Sequence, residues 1–220
     1  MVYYGLLLLQ LVFLSYIGQR NMQTLFHRLH RTIKSTSVSF YIISILYVPG
    51  TLLHELSHLF TSVLLFVQPK NINLIPKITE SENSYSIRLG YVQHEKTDPF
   101  RGFLIGIAPF FVGCGFFFLV HYSALFPHPV WYLNILLFYL FFTISSTMFP
   151  SKQDLTEAIV IIPVLLIAGT LIFVLKIPIV HYLLSDEYIH VLKSLNIYLA
   201  PGTVANIGVY ALFAFLIRSK

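Results

Sequence analysis

The run from Ser39 to Val67 contains only one Asp, Glu, Lys or Arg, namely Glu55. A membrane-crossing helix needs about 20 mostly apolar residues. In hydrocarbon, only a helix or a closed barrel satisfies its own backbone polar groups. Runs of this kind recur along the chain, so it is expected to fold as an all-α polytopic membrane protein with about six membrane helices. Composition agrees: 56% of residues are hydrophobic and 10% charged, where a soluble domain carries about 25% charged residues. Residues 1–220 read as a single integral membrane domain.

The expected spans are Met1–Gly18, Ser39–Val67, Gly102–Tyr122, Val130–Phe149, Ala158–Leu175 and about Ile197–Ile217. Met1–Gly18 lacks a basic leader and a small-residue cleavage site, so it is expected to remain as a first helix. Gln19–Lys34 carries four Lys/Arg and no acid, which predicts a short amphipathic interfacial helix or loop. Residues 68–101 form the one long polar insertion. Its pieces Ile72–Ile78 and Tyr85–Gln93 have β-type composition around Ser-Glu-Asn-Ser, which predicts a β-hairpin lying against the membrane. Ser185–Lys193 reads as a polar break before the last span. No internal repeat stands out.

The formal charge of +5 collects near segment ends. That suits lipid headgroups, and no basic stretch interleaves with aromatics as nucleic-acid binding would need. The single Cys114 excludes an intrachain disulfide and reads as a packed residue.

Within the second span stands TLLHELSHLF, with His54, Glu55 and His58 in an H-E-x-x-H pattern. On a helix the two histidines lie one turn apart on one face, so both rings can reach one metal ion. Glu55 falls beside that ion, where it can take a proton from an attacking water and pass it to a leaving amine. Zinc suits such ligands and keeps a position open for water. A carboxylate at membrane depth costs on the order of 2.5–3.5 kcal/mol on insertion scales. The plainer explanation is a set of interhelical hydrogen bonds among neutral side chains.

A catalytic zinc normally has three protein ligands. The third span leaves the side on which the motif lies and the fourth returns to it, which brings Asp154 to the motif just past the break at Pro150. Asp154 is the expected third ligand. Glu157, one turn on, is the alternative, and Asp154 could instead serve as a helix N-cap. Asp98 and Glu95 reach the same side in a loop that reads as exposed. The remaining histidines read as interfacial, and Asn134 as a single interhelical hydrogen bond.

These features resemble the site-2 protease class of intramembrane zinc metalloproteases. His54, Glu55 and His58 match its first motif. SSTMFPSKQDL resembles its later segment of polar residues, proline and aspartate, and GIAPFFVG resembles its intervening Gly-Pro segment. The resemblance covers about residues 39–175, the expected metalloprotease core. Leu155 follows Asp154 where the family has Gly, Ser146 or Thr147 stands for its Asn, and Ala108 for the Gly before Pro109. These departures mark a divergent branch.

The resemblance implies a zinc metalloendopeptidase. Its substrates would be single-pass or membrane-tethered protein segments, cut in or near the bilayer of a prokaryotic cell (inner) membrane. The insertion would hold unwound substrate as an added strand, and Ser145–Thr147 with Lys152 would line a water channel. The counts of Lys and Arg on the two sides, eight against six, leave orientation open; the resemblance places the catalytic side in the cytosol. A non-proteolytic zinc-binding scaffold or chaperone is the second reading. A transporter with His/Glu relays is the third, although it would predict repeats.

Overall fold

The computed structural model describes residues 2–73, 77–81, 84–88, 91–95, 97–158, 161–176, 178, 181 and 183–218. Most of these are helical. The helices are α1 (Val2–Ile33), α2 (Thr36–Leu64), α3 (Pro99–Tyr122), α4 (Trp131–Thr147), α5 (Lys152–Ala158), α6 (Ile162–Val174) and α7 (Asp186–Arg218). Four of them, α1, α2, α3 and α7 from Asp186 to Phe215, are long and apolar enough to cross a membrane, while α4 and α6 are shorter apolar helices. Their outward faces are apolar too: Leu8, Leu9, Phe60 and Phe111 are each more than half exposed. No described residue of α6 is buried. An apolar surface of this extent fits lipid as its solvent.

Two expected boundaries are absent. The basic stretch 19–34 is not a separate element but the second half of α1. Leu14, Ile17, Gly18 and Asn21 are buried at helical spacing. Met22, Leu25, Phe26 and Leu29 continue the packing against the core. With one face kept apolar throughout, the helix has no reason to break, and the charges ride on the other faces. The polar stretch 185–193 likewise enters α7, where Asp186 and Glu187 occupy the first turn. Acidic residues there favour the positive end of the helix dipole.

Between α2 and α3 the chain folds back on itself in four strands, β1 (Pro69–Asn73), β2 (Lys77–Ser81), β3 (Ser84–Arg88) and β4 (Tyr91–His94). β1 pairs antiparallel with β4, and β2 with β3 from Lys77↔Arg88 to Ser81↔Ser84. The hairpin expected there is present as two ladders. The middle of its turn, 82–83, lies outside the described residues.

The seam that matters most joins α2 to α4. Tyr139 donates its hydroxyl to the carbonyl of Leu46 at 2.8 Å. One turn on, a Cβ on Gly50 would stand 2.3 Å from the carbonyl oxygen of Thr143. One further turn on, His54 meets the carbonyl of Thr147 at 2.7 Å. Contacts that advance by four residues on both helices mean that α2 and α4 run parallel, as the span order predicts. A side chain at position 50 would push them apart, so glycine sets how closely α4 approaches. Tyr47, Phe117, Phe141, Phe142 and Met148 fill the core beside this seam.

Candidate metal centre

His54, Glu55 and His58 lie on α2, which runs through Pro49 without ending. His58 is 5% exposed, while His54 and Glu55 are half-buried. Each imidazole is held from behind by a backbone carbonyl. His54 Nδ1 is 2.7 Å from the oxygen of Thr147, and His58 Nδ1 is 2.8 Å from that of Ile105. A carbonyl can only accept, so each Nδ1 carries the ring hydrogen and each Nε2 presents a lone pair.

Both carbonyls are ones that the helices leave without a ladder donor. Ile105 sits four residues before Pro109 in α3, and proline has no N–H to give it. Thr147 ends α4, and the N–H that would close its turn, on Ser151, bonds instead to Asp154 Oδ2 at 2.6 Å. Pro109 thus frees the acceptor that His58 uses, while the one that His54 uses is freed by the end of α4 and by Asp154, which takes the Ser151 N–H.

Asp154 comes from α5. The backbone N–H of Asp154 bonds to Ser151 Oγ at 3.3 Å while its carboxylate holds the Ser151 N–H. This reciprocal pair is a capping box with Asp154 as its third helical residue. The N-cap is therefore Ser151 and not Asp154, which supports the cap from the third position while its carboxylate lies at the histidines. Gly106 lets α5 lie against α3: a Cβ there would stand 3.0 Å from the Asp154 carbonyl oxygen. The capped carboxylate faces both rings, with Oδ2 at 3.7 Å from His54 Nε2 and Oδ1 at 3.5 Å from His58 Nε2. The two Nε2 atoms are 3.2 Å apart.

Three electron-rich groups converging on one point repel unless a cation lies among them. His54, His58 and Asp154 form a group that could hold a metal ion, one ligand atom from each lying within 4.8 Å of the others. With ring protons in that role instead, burial opposes ionisation of Asp154, but the two imidazoles beside it outweigh that and hold the carboxyl well below the usual range. Under either cation Asp154 is a carboxylate, the form that ligates.

Of the other acids named from the sequence, Asp98 and Glu95 lie elsewhere. Asp98 caps α3, accepting from the N–H groups of Phe100 and Arg101 at 3.1 and 3.0 Å. The N–H of Arg101 holds its carboxyl below the ordinary carboxylate range. Glu95 pairs with Lys70 at 3.2 Å. The side chains of Glu157 and Lys152 fall outside the described residues.

Two polar residues take roles other than those expected. Among the described residues Asn134 bonds not across helices but to the preceding loop, through the N–H and carbonyl of His128 at 2.7 and 2.8 Å. Ser145 is fully buried rather than open to a channel. It accepts from Asn206 Nδ2 at 2.8 Å, and Ser146 donates to Asn206 Oδ1 at 3.1 Å. Asn206 and its partner Asn21, both fully buried, carry no motif in the sequence. The only signal available was an uncharged amide inside an apolar helix. Comparison of the chain with protein-family models, curated proteins and solved structures finds no match.

Proposed function

We propose that this protein is a divergent intramembrane zinc metalloprotease of the site-2 class, which hydrolyses peptide bonds in or near membrane-spanning segments. The observation that carries the proposal is the convergence of His54 Nε2, His58 Nε2 and the Asp154 carboxylate, with Glu55 the next residue on the same helix. Tetrahedral zinc sets its nitrogen and oxygen donors about 3.3 Å apart. The two Nε2 atoms, 3.2 Å apart, are close to that edge, and one Asp154 oxygen lies 3.7 Å from His54 Nε2 and the other 3.5 Å from His58 Nε2, so a single ligand atom from each residue falls within 4.8 Å of the others. Two nitrogens and one carboxylate also form the donor set of several zinc peptidases.

In this reading His54, His58 and Asp154 hold the ion. Bound zinc supplies a water acidified to a pKa of about 7 and a Lewis acid for the scissile carbonyl. Glu55 receives the proton of the attacking water and delivers it to the departing amine nitrogen. The carbonyls of Ile105 and Thr147 keep both rings in the ligating tautomer. The hairpin contributes edge strands, to which an unwound substrate backbone adds by main-chain hydrogen bonds. The proposal includes six crossings, with α4 and α6 completing the four long helices, in a prokaryotic cell (inner) membrane.

The test uses the full chain in proteoliposomes with candidate single-pass proteins. Wild type cuts a substrate, and Glu55→Gln binds zinc and retains that substrate uncut. Equal cleavage by Glu55→Gln contradicts the protease reading. Zinc binding with no cleavage of any candidate favours the non-proteolytic scaffold.

A further inference from the structure

The last turn of α4 has to be placed accurately, because the carbonyl of Thr147 holds His54 Nδ1 at 2.7 Å. Its own sequence is poorly suited to that task. Ser145, Ser146 and Thr147 turn their hydroxyls back onto carbonyls of the preceding turn, those of Phe141, Phe142 and Thr143. Such back-bonding slightly destabilises and often bends a helix. The N–H of Ser151, which would extend this helix, is held by Asp154. Something outside α4 must fix its end.

Asn206 on α7 is built to do so. Its Nδ2 donates to Ser145 Oγ at 2.8 Å, and its Oδ1 accepts from Ser146 Oγ at 3.1 Å. Both ends of one amide therefore grip consecutive residues of α4. Asn206 is itself anchored by Asn21 on α1, whose Nδ2 donates to its Oδ1 at 3.1 Å and to its backbone oxygen at 3.0 Å. Both asparagines are 0% exposed. Two glycines let the flanking helices press in: a Cβ on Gly18 would stand 2.9 Å from Ser146 Cα, and one on Gly202 2.9 Å from Ser145 Cβ. Deeply buried amides in a membrane bundle are costly, which points to a role beyond filling space.

We infer that Asn206 is a positioning residue for the metal centre, acting through Ser145 and Ser146 on the Thr147 carbonyl and so on His54. The inference rests on the metal-centre reading of His54, His58 and Asp154. Removing the clamp lets the end of α4 drift, and the His54 ring loses the support that fixes its tautomer. Outer-shell supports of this kind typically carry about 10–100-fold in metal affinity.

The test is a zinc and cobalt(II) titration of the full chain in detergent micelles, with thermal unfolding followed in parallel. Asn206→Ala raises the metal Kd about 10-fold. Ser146→Ala, which removes one bond of the clamp, raises it about 3-fold. The double variant is no worse than Asn206→Ala, since both changes act on one contact. Asn196→Ala is the control: Asn196 bonds to the Tyr3 carbonyl at 3.3 Å and to its own helix, so its loss also weakens the α1–α7 contact. It lowers the melting temperature as Asn206→Ala does but leaves the Kd within about 2-fold.

A wild-type Kd in Asn206→Ala, or equal rises in Asn206→Ala and Asn196→Ala, overturns the inference alone. Should Asn206→Ala fail to fold, a wild-type Kd in Ser146→Ala overturns it. A wild-type chain that takes up neither metal overturns the metal-centre reading and this inference together.

Discussion

His58 on α2 donates its Nδ1 hydrogen to the carbonyl oxygen of Ile105 on α3 at 2.8 Å, and that carbonyl is one that Pro109 has freed from its own helix. An α3 with an N–H at position 109 would bond Ile105 internally. Pro109→Ala is therefore expected to make α3 more regular, since a proline inside a helix costs about 3 kcal/mol. It is also expected to weaken metal binding by about 10-fold through a loosened His58. Melting temperature and zinc affinity, measured on the same sample, should move in opposite directions. Unchanged affinity would show that Ile105 does not orient His58.

Gly50 governs the approach of α4. A methyl group there would lie 2.3 Å from the Thr143 oxygen and 2.5 Å from Thr147 Oγ1. Gly50→Ala must displace backbone, not a flexible side-chain tip, and overpacking of this kind typically costs about 1–3 kcal/mol. Since His54 lies one turn further along the same seam, zinc affinity should fall with stability. A melt and a zinc titration check both.

The capping box on α5 gives a milder handle. Ser151→Ala removes the oxygen that accepts from the Asp154 N–H, an expected loss of about 1 kcal/mol at the start of α5. The Asp154 carboxylate remains but is less firmly aimed. Weaker metal binding with little change in global unfolding is expected, whereas Asp154→Ala should remove binding altogether. Isothermal titration of the two variants separates aim from ligation.

Asp98 offers a pH test away from the metal centre. Its carboxyl is held below the ordinary range, first by the N–H of Arg101 and also by its charge and the N–H of Phe100. A carboxyl depressed in the folded state contributes stability above its unfolded pKa of about 3.9, and that stability is lost as pH falls through the folded value. Asp98→Ala should therefore melt below wild type at neutral pH. The gap should close once the pH drops well under 4, which melts of both proteins across that range would reveal.

Much of the site could be read in the sequence, for physical reasons specific to each residue. His54 and His58 share a face through helical spacing alone. Asp154 reaches them because two spans separate it from α2, which returns the chain to the same side. The carbonyl partners are half legible: Pro109 announces a freed acceptor at Ile105 and Pro150 an end to α4, but no local pattern tells which side chain will use the carbonyls left over. The Asn21–Asn206 contact spans 185 positions and depends on how α1, α4 and α7 meet. For that reason the sequence suggests a water channel at Ser145, which is instead buried against Asn206. The two missed boundaries share one cause. Local charge at 19–34 and 185–193 suggested breaks, but an uninterrupted buried face in α1 and favourable acids at the start of α7 outweighed it.

Metal content is the sharpest test of the centre formed by His54, His58 and Asp154. Wild type and the variants Glu55→Gln, His54→Ala, His58→Ala and Asp154→Ala are purified with zinc supplied, and bound metal per chain is measured by mass spectrometry. One ion per chain is expected in wild type and in Glu55→Gln, and a loss of nearly all metal in each of the other three. Wild type without stoichiometric metal, or Asp154→Ala retaining a full complement, would contradict it.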